Sequence, residues 1–154
     1  MISETALERQ LTPSARHLLG TWSLVSVVRE EIPSGATIDL MGPNPKGFIT
    51  YSADGRMVAL LARGDRKMPA SNTATAAEAE NLFRSVISYA GTYTIAGNEV
   101  THHVDISWNE SWTGTKQVRI FKFEGNKVSL STPVSPDPFD GKMSIRSLVW
   151  EKVK

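Results

Sequence analysis

The apolar positions along this chain recur mostly at two-residue spacing, the period of a half-buried strand. Thr21 to Val28 is rich in Val, Trp and Thr and places Trp22, Leu24, Ser26 and Val28 on one face. Two short apolar runs, 47–52 and 57–63, flank Ala53-Asp54-Gly55, an Asp-Gly signal for an antiparallel hairpin. Further runs at 92–95 and 99–106 flank Ala96-Gly97-Asn98, and 117–123 and 127–131 flank Glu124-Gly125-Asn126. The segment 132–141 carries Pro133, Pro136 and Pro138 and reads as an irregular loop, followed by a last strand over 144–151. The pattern changes once, at Thr75-Ala76-Ala77-Glu78. This is a capping box, and Ala79, Leu82, Phe83, Val86, Ile87 and Ala90 follow at helical spacing until Gly91. A helix over about 76–90 is predicted, docked by one apolar stripe against a sheet or across an opening. About eight strands joined as sequence neighbours, with one helix inserted, predict a mainly β chain: an antiparallel up-and-down barrel, whose closure removes exposed edges.

Ahead of the strands, residues 1–17 read as a lead-in ending in a short helical turn, with Thr12 as cap and Pro13 at the first helical position. Residues 18–154 then form a single domain. The 154-residue length suits one core of ordinary size. Seventeen basic against 16 acidic residues leave a net charge of +1, which argues against nucleic acid as a partner. No cysteine is present, so disulfides, thiolate metal sites and a cysteine nucleophile are excluded. No apolar run approaches a membrane span, and the first residues lack a secretory apolar region, so a cytoplasmic location is expected.

The order of motifs resembles the bacterial and fungal lipocalin-like domain family. The resemblance rests on 19–26 (Leu19-Gly20-Thr21-Trp22 onward), on Gly47-Phe48-Ile49-Thr50-Tyr51 with Asp54-Gly55-Arg56-Met57, and on Tyr89-Ala90-Gly91-Thr92-Tyr93. Val100-Thr101-His102-His103-Val104, Gly114, Arg119 and the terminal Leu148-Val149-Trp150-Glu151 complete it, so that it spans about 18–152. It implies an eight-stranded barrel able to hold a small ligand or to fill itself with side chains. It also assigns structural roles to Gly20 and Trp22, with Arg146 of the last strand stacked over Trp22. The chain departs from the family pattern at 107–112, Ser-Trp-Asn-Glu-Ser-Trp, where a proline is expected.

Few residues can carry chemistry. His102 and His103 are adjacent on a strand and point to opposite faces, so they cannot chelate one metal together. Val100, Val104 and Ile106 share the His102 face, which places His102 inside. There it is a hydrogen-bonded core residue, a ligand contact or a proton carrier. Arg119 shares a face with Phe121 and Phe123. Inward, it needs a carboxylate partner or a polar ligand, and it can anchor a substrate carboxylate or enolate; outward, it sits at the rim. Tyr51, Met57, Tyr93, Trp108 and Trp112 complete the candidate ligand contacts. No phosphate-binding glycine loop, nucleophile elbow or zinc-binding helix motif occurs, so no metal or cofactor is implied.

Three functions follow as expectations. The first is a barrel that binds a small, mainly apolar organic molecule, with the helix as a lid. The second is a cofactor-free isomerase, cyclase or hydratase of secondary or catabolic metabolism, with His102 as general acid or base and Tyr51 or Arg119 stabilising oxyanion charge. The third is a filled barrel that works through a homo-oligomeric surface, with a homodimer as the simplest assembly. A ligand site of the first two kinds requires an interior void of roughly 300 Å³ or more.

Overall fold

The computed structural model describes residues 12–154; the lead-in expected over 1–11 lies outside them. A short helix, α1 (Pro13–Arg16), precedes β1 (Gly20–Glu31), β2 (Thr37–Asp39), β3 (Lys46–Tyr51) and β4 (Arg56–Ala62). Helix α2 (Ala76–Arg84) leads into β5 (Val86–Ala96) and β6 (Glu99–Ser107). A single 3-10 turn at Glu110–Trp112 precedes β7 (Lys116–Glu124), β8 (Lys127–Ser131), β9 (Ser135–Pro136) and β10 (Met143–Lys152). All pairings are antiparallel, in the order β2-β1-β3-β4-β5-β6-β7-β8-β10-β9. The additional pairing of β1 with β10 closes eight of these strands into a barrel, and β2 and β9 are short annexes at one rim.

The two ends of the barrel are built differently. At one end the connections are tight. Gly97 and Gly125 each take φ of +60°, and the asparagine after each does not have positive φ, the signature of type II′ hairpins. Helix α1 plugs this end. The Thr12 hydroxyl caps it by accepting from the Ala15 N–H at 3.2 Å. Leu18 is fully buried, and its carbonyl accepts the Trp22 indole N–H at 3.0 Å. At the opposite end all the connections are long: 32–45, 63–85, 108–115 and 132–142.

Two bulges correct the expected faces. Between Leu24 and Ser26 the register against β10 slips by one residue. Trp22 and Leu24 therefore point inward, but so do Val27 and Arg29, in place of Ser26 and Val28. A second slip, between Ala90 and Gly91 against β6, turns Ile106 outward to 63% exposure, while Val100, His102 and Val104 stay inside.

The helix is also shorter than its spacing implied. Its capping box forms, with Glu78 N–H on the Thr75 hydroxyl at 3.2 Å and Thr75 N–H on the Glu78 carboxylate at 2.9 Å. It stops at Ser85, where Val86, Ile87, Tyr89 and Ala90 begin β5. Inward positions 87, 89, 91 and 93 satisfy a strand period as well as 82, 86 and 90 satisfy a helical one, and the β-branched Val86-Ile87 pair favours the strand. Deprived of those residues, α2 buries no side chain and does not roof the barrel.

At Gly91 the β5–β6 pair leaves no room for a side chain. A Cβ there would lie 1.8 Å from the His103 carbonyl oxygen, an impossible contact. Gly91→Ala is therefore expected to lower stability by about 1–3 kcal/mol, read as a shift of the urea midpoint. An unchanged midpoint would contradict this packing.

Candidate functional site

The inward faces of β3, β5, β6 and β7 meet around one imidazole. His102 is 1% exposed and is held on both ring nitrogens. The Tyr51 hydroxyl lies 2.6 Å from Nε2, and the Tyr89 hydroxyl lies 2.7 Å from Nδ1. Burial, reinforced by the nearby Arg119 charge and by His103, holds the His102 pKa well below the ordinary histidine value, so the ring is neutral. Burial raises both tyrosine pKa values, and Arg119 pulls each back down.

A neutral imidazole offers one donor and one acceptor. Among the described residues the Tyr51 hydroxyl meets no acceptor other than His102, and Tyr51 is 1% exposed. The neutral ring donates to one of the two tyrosine hydroxyls and accepts from the other, so Tyr51, His102 and Tyr89 form one continuous chain of hydrogen bonds.

Tyr89 and His102 line a narrow void between the core side chains, with about 40 Å³ open to the centre of a water-sized molecule. This holds a few waters, well below the roughly 300 Å³ expected for an organic ligand, so occupation by one requires the long connections to move. The wall is apolar on most sides, with Val27, Leu40, Ile49, Ala59, Leu61, Ile87, Leu130 and Leu148. Its polar residues include Tyr89, His102, Arg119, Thr132 and Arg146. Trp112 and Pro138 supply the mouth. Trp112 packs 5.4 Å from the Tyr89 ring and 5.1 Å from Trp108, and Trp108 lies 6.3 Å from Phe139. The loop that carries Pro138 and Phe139 is tied to β1 through Arg29, which meets Asp137 at 3.3 Å and Asp140 at 2.8 Å.

Of the residues singled out in the sequence, His102, Trp112 and Arg119 line the void. Arg119 faces inward at 8% exposure, which settles its strand parity. Tyr51 stands behind His102 without reaching the wall. Met57 is buried core. Tyr93 stacks on Tyr51 at 5.0 Å and donates to the Ser52 carbonyl at 2.8 Å, toward the plugged end. Trp108 lines a shallow groove on the outside of the barrel with Val58 and Ile106. Arg146 does not stack over Trp22; Lys152 does, with Nζ 4.6 Å from the ring centroid, because the closing register sets Trp22 opposite Lys152 and Arg29 opposite Arg146. Arg146 opens instead into the void. Two site residues were missed. Tyr89 was hidden by extending the helix through it, although its spacing of four from Tyr93 matches a strand face. Arg146 was hidden by assigning it to Trp22.

The neutral His102 has a consequence for stability. The unfolded chain binds a proton at this residue as pH falls below about 6.5, while the native state resists doing so, so native stability is lost in that window. The loss should approach about 1.4 kcal/mol per pH unit. Urea unfolding between pH 7.5 and 5.5 should show this slope, and His102→Gln should flatten it.

Among the described residues no helix is long and apolar enough to cross a membrane, and no group of three acidic or histidine side chains could hold a metal ion. No curated protein matches the chain. Among solved structures, a lipocalin-like protein from Bacteroides uniformis is 13% identical, with a TM-score of 0.45 over 89% of this chain and 99% of that one. An uncharacterized protein from Bacteroides eggerthii is also 13% identical, with a TM-score of 0.42 over 88% of this chain and 99% of that one. A family model described as a lipocalin-like domain matches residues 19–153, almost the whole barrel with its closing strand. The chain belongs to the lipocalin-like domain family.

Proposed function

We propose that the barrel binds a small, mainly apolar organic molecule in its interior. The observation that supports this reading is the interior void, lined mostly by aliphatic side chains with Tyr89 and its hydrogen-bond partner His102 set into the wall. An apolar wall supplies affinity through buried area, and a few polar groups set into it supply orientation. Entry is from the end with long connections, past Trp112 and Pro138, since α1 and the tight turns occupy the other end.

The same hydrogen-bond chain supports a second reading, a cofactor-free isomerase, cyclase or hydratase. In it Tyr89 delivers a proton to the bound molecule, and His102, drawing on Tyr51, restores it. Arg119 lies close enough to stabilise charge on the resulting tyrosinate or on an oxyanion of the ligand.

Native mass spectrometry of the purified protein, followed by tryptophan-fluorescence titration with the molecule it carries, tests both. Tyr89→Phe keeps the ring and removes the donor. It should weaken binding by about 1–3 kcal/mol in a pure binder, and His102→Ala should do the same. In an enzyme both substitutions should abolish turnover. Absence of any bound or titratable small molecule would leave a filled barrel that acts through its surface.

A further inference from the structure

Two guanidinium groups share the wall of the void, and neither meets a carboxylate among the described residues. Arg119 and Arg146 are each 8% exposed. The Nη1 of Arg119 donates to the neighbouring Val118 carbonyl at 2.9 Å. Arg146 donates to the Ser144 hydroxyl at 3.2 Å and the Ser135 hydroxyl at 3.0 Å. Among the described residues no aspartate or glutamate lines the void, and the indole N–H of Trp150, a residue of the same wall, is buried without an acceptor.

Arg29 shows what a neutralised arginine looks like in this barrel. It is 5% exposed, on the strand opposite Arg146, and it contacts Asp137, Asp140 and Glu31. Those carboxylates are committed to Arg29 and to the loop that it holds. Arg119 and Arg146 are left lining one space, where burial first and then the Arg119 and Arg29 charges disfavour the charged form of Arg146, against partial support from Asp137 and Asp140. Buried cations without a carboxylate in contact are costly, and two that share a cavity repel each other as well. An anion placed between them removes both penalties and finds the Trp150 N–H beside it.

From this geometry we infer that the interior site takes an organic carboxylate, with its carboxylate group against Arg119 and Arg146 and its apolar body along the aliphatic wall. The inference rests on the binding reading above and adds the chemical class of the ligand. The planar guanidinium fork suits a carboxylate, which can accept from two arginines and an indole at once. The surrounding aliphatic side chains exclude small, strongly hydrated ions and reward an apolar body. Tyr89 lines the same space and is within reach of a second polar group of the ligand.

The test is calorimetric titration of the full chain at pH 7.5 with three probes: 2-naphthoate, its neutral isostere 2-naphthamide, and acetate. The wild-type protein should bind naphthoate about 30-fold more tightly than naphthamide, and acetate at least as weakly as the amide. Arg119→Met, which replaces the buried charge by an apolar side chain of similar length, should bring the naphthoate-to-naphthamide ratio close to one while naphthamide binding persists. Arg146→Gln provides the same reading if the Met variant fails to fold, with thermal unfolding as the control. Equal binding of naphthoate and naphthamide by the wild type, or a ratio unchanged in the folded variant, overturns the carboxylate assignment and leaves the binding reading standing. Acetate as tight as naphthoate overturns the apolar-body half. Failure of all three probes to bind overturns the carboxylate assignment, and the binding reading falls with it only if native mass spectrometry also finds no carried molecule.

Discussion

The return of β10 to β1 is the contact on which the rest depends. It runs from Trp22 opposite Lys152 to Glu31 opposite Ser144 and turns an open meander into a tube with an inside. Its register does more than close the sheet. It places Lys152 over the Trp22 ring at the plugged end and Arg146 beside Arg29 at the mouth. The bulge within it carries Val27 and Arg29 inward where plain alternation would have carried Ser26 and Val28. Without that one-residue slip Arg29 would face solvent, and the loop bearing Asp137 and Asp140 would lose its anchor.

Inside the tube, polarity is arranged in two layers. Toward the plugged end, Tyr93 and Tyr51 pack edge to face, and their hydroxyls are fully spent, one on the Ser52 carbonyl and one on His102. Toward the mouth, among the described residues, Arg119 and Arg146 meet no carboxylate and the Trp150 N–H meets no acceptor. His102 stands at the boundary. Its neutral ring passes the direction of one layer's hydrogen bonds to the other, which a charged ring with two donors would not do.

The barrel itself was legible in the chain because hairpins write themselves locally: Asp54-Gly55, Gly97-Asn98 and Gly125-Asn126 each end up at a turn. Inward His102 was legible from the valines two positions to either side. What escaped notice had non-local causes. Bulges at Leu24 and Gly91 depend on the partner strand, and a single strand read alone gives no sign of them. The boundary between α2 and β5 fell in a stretch compatible with both periods, so Tyr89 was placed on a helix face. Arg146 was matched to the wrong aromatic ring because the choice between Arg146 and Lys152 is decided by barrel register. The orientation of Arg119 needed the whole sheet.

The unequal ends also bear on how such a barrel diversifies. Every long connection lies at the mouth, and each can change length at little entropic expense, since doubling a loop adds only about 0.6 kcal/mol. The hairpins and helix at the opposite end hold the frame while those connections drift. The rim at the mouth can therefore change length by insertion and deletion while the Tyr51–His102–Tyr89 layer beneath it keeps its place in the frame.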